Sequence, residues 1–318
     1  WDMNTDTPLP PDFPAGQNPP DGAMIDYYLQ SAPRGPVTLE IKDSAGQTVR
    51  KYSSTDKPEG IDPLLNIPTY WVRPSRALPA TEGMHRWLWD MHYPNVPGVE
   101  TEYPISAVPH NTVPQPTGPW AMTGRYSVVL TVDGKNYSQP LLVTMDPRVE
   151  TPMIGLQQQF KLSHQIYQQM LTLGPAAAQA SELRKQIQER LSKVPPQSTA
   201  AGALSKFNDQ LTALLGSQTR RPGPPSEVPT LSVLRAKYMA LFGVLQEADA
   251  APTSQATAGL AEIDKQLPPL MQQWRQIRDK ELPALNQQLK SANLPEITLQ
   301  AAGPLSKSVV SARDKDEE

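Results

Sequence analysis

Residues 124–145 read GRYSVVLTVDGKNYSQPLLVTM, and this stretch decides the first half of the fold. Tyr126, Val128, Leu130 and Val132 recur at every second position, which puts them on one face of a strand. That strand stops at Asp133-Gly134, a pair suited to a type I′ turn because both central residues need positive φ. Lys135 to Met145 returns as the partner strand, and Pro140 within it favours a sheet edge or a bulge. Working outward, Val37, Leu39 and Ile41 alternate with Thr38, Glu40 and Lys42, Asp43-Ser44-Ala45-Gly46 turns the chain, and Gln47 to Ser53 comes back. Met84 to His92 (MHRWLWDMH) predicts a further strand between two proline-rich excursions, near 54–82 and 93–123, expected as long loops. Short strands at these intervals over 23–149 predict a β-sandwich of immunoglobulin or fibronectin type III character.

After Asp146-Pro147-Arg148 the composition turns to Gln, Ala and Leu at helical spacing, so a second domain is expected over 150–299. Its first segment carries Leu156, Phe160, Tyr167, Met170, Leu183, Ile187 and Leu191. Leu204, Phe207, Leu211 and Leu214 follow, then Leu231, Leu234, Tyr238, Leu241 and Leu245. Leu260, Ile263, Leu267, Leu270, Trp274 and Ile277 make the last stripe, which resumes after a slip at Leu282, Leu285 and Leu289. Such stripes pack antiparallel into an elongated three- or four-helix bundle. Gly174-Pro175 is expected to break or kink the first helix, and Pro268-Pro269 and Pro283 the last. Residues 1–22 read as an extended Pro-rich linker and 300–318 as a solvated, flexible tail.

Composition excludes several classes of function. The 318 residues hold 29 Lys plus Arg against 32 Asp plus Glu, so the net charge of −3 leaves no basic surplus for a phosphate backbone and no nucleic-acid partner is expected. Cysteine is absent, which removes disulfides, thiolate metal sites and cysteine nucleophiles together. No apolar run approaches the ~20 residues of a bilayer span, so no membrane span is expected. A start at Trp1 without a charged and apolar leader reads as a processed or excised piece.

Reactive constellations are scarce. The four histidines, His85, His92, His110 and His164, stand in no HExxH and in no nucleophile-elbow order. His85 and His92, seven apart, point to opposite faces of a regular strand, and His164 falls among the polar positions of a helix, where a solvated ring is expected. Asp2, Asn4 and Asp6 open like a calcium loop, but Thr7 replaces the turn glycine and Phe13 the bidentate glutamate, so a polar linker is the better reading. Asn136-Tyr137-Ser138 has the form of a glycosylation acceptor, a triplet that chance supplies in a chain of this length. No catalytic residue, metal ligand or cofactor is assigned. Aromatic residues carry the sharpest signal. Trp87, Trp89 and Met91 alternate along one strand and suit a sandwich core, whereas Trp71 and Trp120 lie in the excursions and are the candidates for stacking on a sugar face.

Five segments together resemble a known family: AGQNPPDGAMIDYYL (15–29), PVTLEIKDSAGQTVRKYS (36–53), GMHRWLWDMHYP (83–94), GRYSVVLTVDGKNYSQPLLVTMDPRV (124–149) and LPALNQQLKSANLPEI (282–297). They are similar to the C-terminal region of bacterial secreted sortilin-like, BNR (Asp-box) β-propeller proteins described as glycosyl hydrolases. The resemblance implies a propeller upstream of Trp1, a periplasmic or extracellular location, and hydrolase residues confined to that upstream part. The function expected on this basis is a non-catalytic extracytoplasmic interaction or scaffold module, partnered by the propeller or by other protein subunits. The alternative is the accessory, polysaccharide-contacting portion of a secreted propeller glycoside hydrolase, with Trp71 and Trp120 at the sugar.

Overall fold

The computed structural model describes residues 20–58, 60–61, 65, 67–97, 103–104, 110–216 and 228–299. The fold is mixed, with two small antiparallel sheets followed by helices. The strands are β1 (Ala23–Leu29), β2 (Thr38–Lys42), β3 (Thr48–Ser53), β4 (Gly83–Trp89), β5 (Gly124–Val132) and β6 (Lys135–Val143). One sheet pairs β1 with β4, and the other runs in the order β3-β2-β5-β6. The helices are α1 (Met153–Leu191), α2 (Thr199–Leu215), α3 (Leu231–Gln246), α4 (Ser254–Gln276) and α5 (Leu282–Ser291), with a π-turn at Ile277–Glu281 joining the last two. The described residues of Trp1–Asn95, Thr101–His164 and Ala248–Ala251 form one compact unit. Those of Val96–Glu100, Gln165–Glu247 and Pro252–Glu318 form the other.

In the first unit, alternation sets the core. Tyr27 and Leu29 of β1, Leu39 of β2, Trp87 of β4 and Val128 of β5 pack with Val37 and Leu78 in one buried cluster. Ile41, Val49, Trp89 and Tyr126 form a second. Residues from both sheets therefore share the same interior, and each fully buried aromatic ring contributes on the order of 5 kcal/mol of transfer free energy before ordering costs. The Asp133-Gly134 hairpin has both central φ angles positive, at 47° and 78°. Pro140 sits, as expected, in an edge strand. Three departures from expectation are local. β4 ends at Trp89 rather than His92, because Met91 turns into the left-handed region (φ 57°) and the Asp90 carboxylate accepts the His92 backbone N–H. β6 ends at Val143. The proline-rich excursions are tied to each other, by a parallel bridge between Val72 and Thr112 and by the Thr112 N–H donating to the Trp71 carbonyl.

The first turns of α1 belong to this unit. Phe160 and His164, one turn apart, set their rings against Tyr93 at centroid distances of 6.1 and 5.4 Å. The Thr151 hydroxyl and the Gln159 amide donate to the carbonyls of Asp249 and Ala248, each at 2.6 Å.

In the second unit, three helices open on the same chemistry. Ser198, Thr230 and Thr253 each accept the backbone N–H three residues on, satisfying one orphan donor of α2, α3 and α4. Of the break or kink expected at Gly174-Pro175, the break does not occur: α1 is one helix through the pair, and Gly174 lies where a Cβ would stand 2.7 Å from the Pro97 carbonyl oxygen. The slip in the last stripe is the π-turn. Ile277 and Leu282 are five residues apart, and the Leu282 N–H donates to the Ile277 carbonyl, an i to i−5 bond that keeps both side chains buried. Asp264 of α4 accepts hydrogen bonds from Tyr238 of α3 and Gln165 of α1, joining three helices through one carboxylate.

Candidate functional site

Trp71 ends a 3₁₀ turn, Thr69–Trp71, half-buried, with its ring edge-on to the exposed Tyr70 at 6.1 Å. Trp120 is also half-buried, but its ring packs on His92 at a centroid distance of 3.8 Å, and the two residues form an antiparallel bridge. Trp71 thus has Tyr70 as a ring neighbour and Trp120 has His92. Beside the half-buried Trp71, the Tyr70 ring is exposed. Trp87 and Trp89 are buried, as their alternation requires.

His92 is buried beneath Trp120, with its Nδ1 2.7 Å from the Asp90 carbonyl oxygen. Burial lowers its pKa, outweighing the Asp90 charge. The His164 ring is half-buried among Tyr93 and Phe160 rather than solvated, and desolvation lowers its pKa as well. His85 lies in β4 with Nε2 2.7 Å from the Thr81 carbonyl oxygen, while His92 has left the strand. Among the described residues no group of three or more His, Asp or Glu gathers as a metal site would. The Asp2, Asn4 and Asp6 pattern, nearly all of the linker and the tail lie outside the described residues. A groove of about 320 Å³ lies between α2 and α4 with its π-turn. Glutamine amides line most of it, and its one carboxylate, Glu281, accepts from Gln276 at 2.9 Å. It holds no nucleophile paired with a base.

The outward face of β1 and β4 gathers exposed apolar side chains around an ion pair. Alternation that sends Tyr27, Leu29, Trp87 and Trp89 inward sends Met24, Asp26 and Tyr28, and Met84, Arg86 and Leu88, outward. Register sets them in cross-strand pairs: Met24 beside Leu88, Asp26 beside Arg86, Tyr28 beside Met84. Met24, Tyr28 and Met84 are 52%, 65% and 68% exposed. Between them Arg86 donates two hydrogen bonds to the Asp26 carboxylate, at 2.7 and 2.8 Å. This guanidinium holds the Asp26 pKa below the ordinary aspartate value. The local sequence pattern singles out the tryptophans and not this face. Its signal was present in the apolar residues at the out-of-phase positions of two alternating strands.

No helix among the described residues is long and apolar enough to cross a membrane. No family model matches the chain, and neither a curated protein nor a solved structure matches it.

Proposed function

We propose that this chain is a non-catalytic interaction or scaffold module acting outside the cytoplasm, partnered by a β-propeller or by other protein subunits. The observation that carries this reading is the β1–β4 face, where two methionines and a tyrosine lie in water around one ion pair. Such side chains suit a protein surface, since thioethers adapt to varied shapes and an aromatic ring adds contact area at little entropic cost. In this reading the two sheets form an immunoglobulin- or fibronectin-III-like sandwich and the helices an elongated three- or four-helix bundle. Two features favour the sandwich. The Tyr126 hydroxyl donates to the Met122 carbonyl four residues upstream, in the manner of a tyrosine corner, and Trp89 meets the Tyr126 ring edge-on at 5.5 Å.

A second reading makes the chain the sugar-contacting accessory part of a secreted glycoside hydrolase, and the adjacent Tyr70 and Trp71 rings favour it. Photo-crosslinking amino acids placed at Tyr28 and at Tyr70 in the producing cell separate the two. Protein adducts from position 28 and none from position 70 support the interaction module. Saturable quenching of tryptophan fluorescence by a polysaccharide, lost in Trp71→Ala or Trp120→Ala, with no protein adduct from position 28, sinks it in favour of the second reading.

A further inference from the structure

The geometry points to a second copy of this chain as the occupant of the β1–β4 outer face, an inference that rests on the interaction reading above. The argument is symmetry. A two-fold axis parallel to the strands, running above the line between β1 and β4, lays β1 of one copy over β4 of the other. Each outward residue then faces the copy of its own cross-strand partner. Tyr28 of one copy covers Met84 of the other, and Met24 covers Leu88. At the centre Asp26 of one copy lies over Arg86 of the other, twice, so two ion pairs become one alternating cluster of four charges. A face whose charges were alike, or whose apolar residues sat opposite charges, would repel itself in this arrangement. Here apolar meets apolar and each charge meets its opposite, at the ~10 Å separation at which aligned sheets stack.

Sedimentation equilibrium of the whole chain tests the inference directly. The expected result is a reversible dimer of the 35.0 kDa chain in the tens of micromolar range. Tyr28→Glu and Met84→Glu, at exposed positions, should weaken it at least tenfold while leaving circular dichroism and, at concentrations far below the dimer dissociation constant, the melting temperature unchanged. Asp26→Arg should weaken it similarly, and Asp26→Arg combined with Arg86→Asp should restore it. Geometry is checked by crosslinking, which the absence of cysteine makes clean. Mixed Tyr28→Cys and Met84→Cys chains should join through a short bis-maleimide, whereas Met24→Cys and Met84→Cys, at opposite ends of the face, should not. A chain that stays monomeric at several hundred micromolar overturns the inference, as does a dimer indifferent to Tyr28→Glu. If that monomer still gives adducts with another protein from position 28, only the second copy is lost; if it gives none, the interaction reading falls too.

Discussion

Trp89 is fully buried, edge-on to Tyr126, and its indole N–H donates to the His92 carbonyl at 3.1 Å. Trp89→Ala should therefore cost about 3–5 kcal/mol, read as a lower urea midpoint for the near-ultraviolet dichroism of the strand unit. His92 gives a pH dependence. Its pKa is lowered in the folded chain, so between that value and the ordinary ~6.5 the unfolded chain binds the proton more readily and stability falls as pH drops. Above ~6.5 the contribution of the neutral ring is complete. The Asp90, Asp21 and Arg50 charges act on this ring, and the same sign applies to His164. Urea midpoints at pH 5 and pH 7.5 should differ less in His92→Gln than in the native chain. Trp87 and Trp89 were legible as core because strand alternation needs only neighbouring residues. The contact of His92 with Trp120 was not legible, because it depends on the left-handed turn at Met91 and on the path of a proline-rich excursion.

Among the elements, β6 is the last strand of its sheet and is exposed along most of its length. A two-residue turn makes Val132 and Lys135 a hydrogen-bonded pair, so the backbone groups of Asn136, Ser138, Pro140 and Leu142 face the open edge. Pro140 thus removes an N–H from the middle of that edge, where it blunts strand addition. Pro140→Val should promote concentration-dependent association, seen by light scattering and thioflavin binding, with the hairpin intact. The π-turn is an extra residue accommodated in a helix. Deleting the exposed Lys280 together with Pro283→Ala should leave a regular helix with Leu282, Leu285 and Leu289 still inward, and a melting temperature within a few degrees of the native chain. Deleting the exposed Gln272 from α4 turns the buried Trp274 and Ile277, which stand ahead of the π-turn's extra residue, by about 100° and should lower the melting temperature of the helical unit much further. The slip in leucine spacing was visible in the sequence. Its π geometry was visible only from the Leu282 hydrogen bond.

In the molecule as a whole, the helical unit joins α1, α3 and α4 through Asp264. Tyr238→Phe leaves one carboxylate oxygen without its donor and should cost about 1–2 kcal/mol, measured as the fall in melting temperature of the helical transition. The pairing of these three side chains was not legible, since they lie far apart in sequence and each occupies an unremarkable helical position. What the sequence determined alone was local: strands from a spacing of two, helices from spacings of three and four, a hairpin from Asp-Gly, and the inward destination of Trp87 and Trp89. Backbone geometry imposes those periods on any chain. Tertiary structure decided which strands share a sheet, how β1 meets β4, and hence that Met24, Tyr28 and Met84 gather around Asp26 and Arg86. Register between distant strands depends on how the whole interior packs, and no local period encodes it.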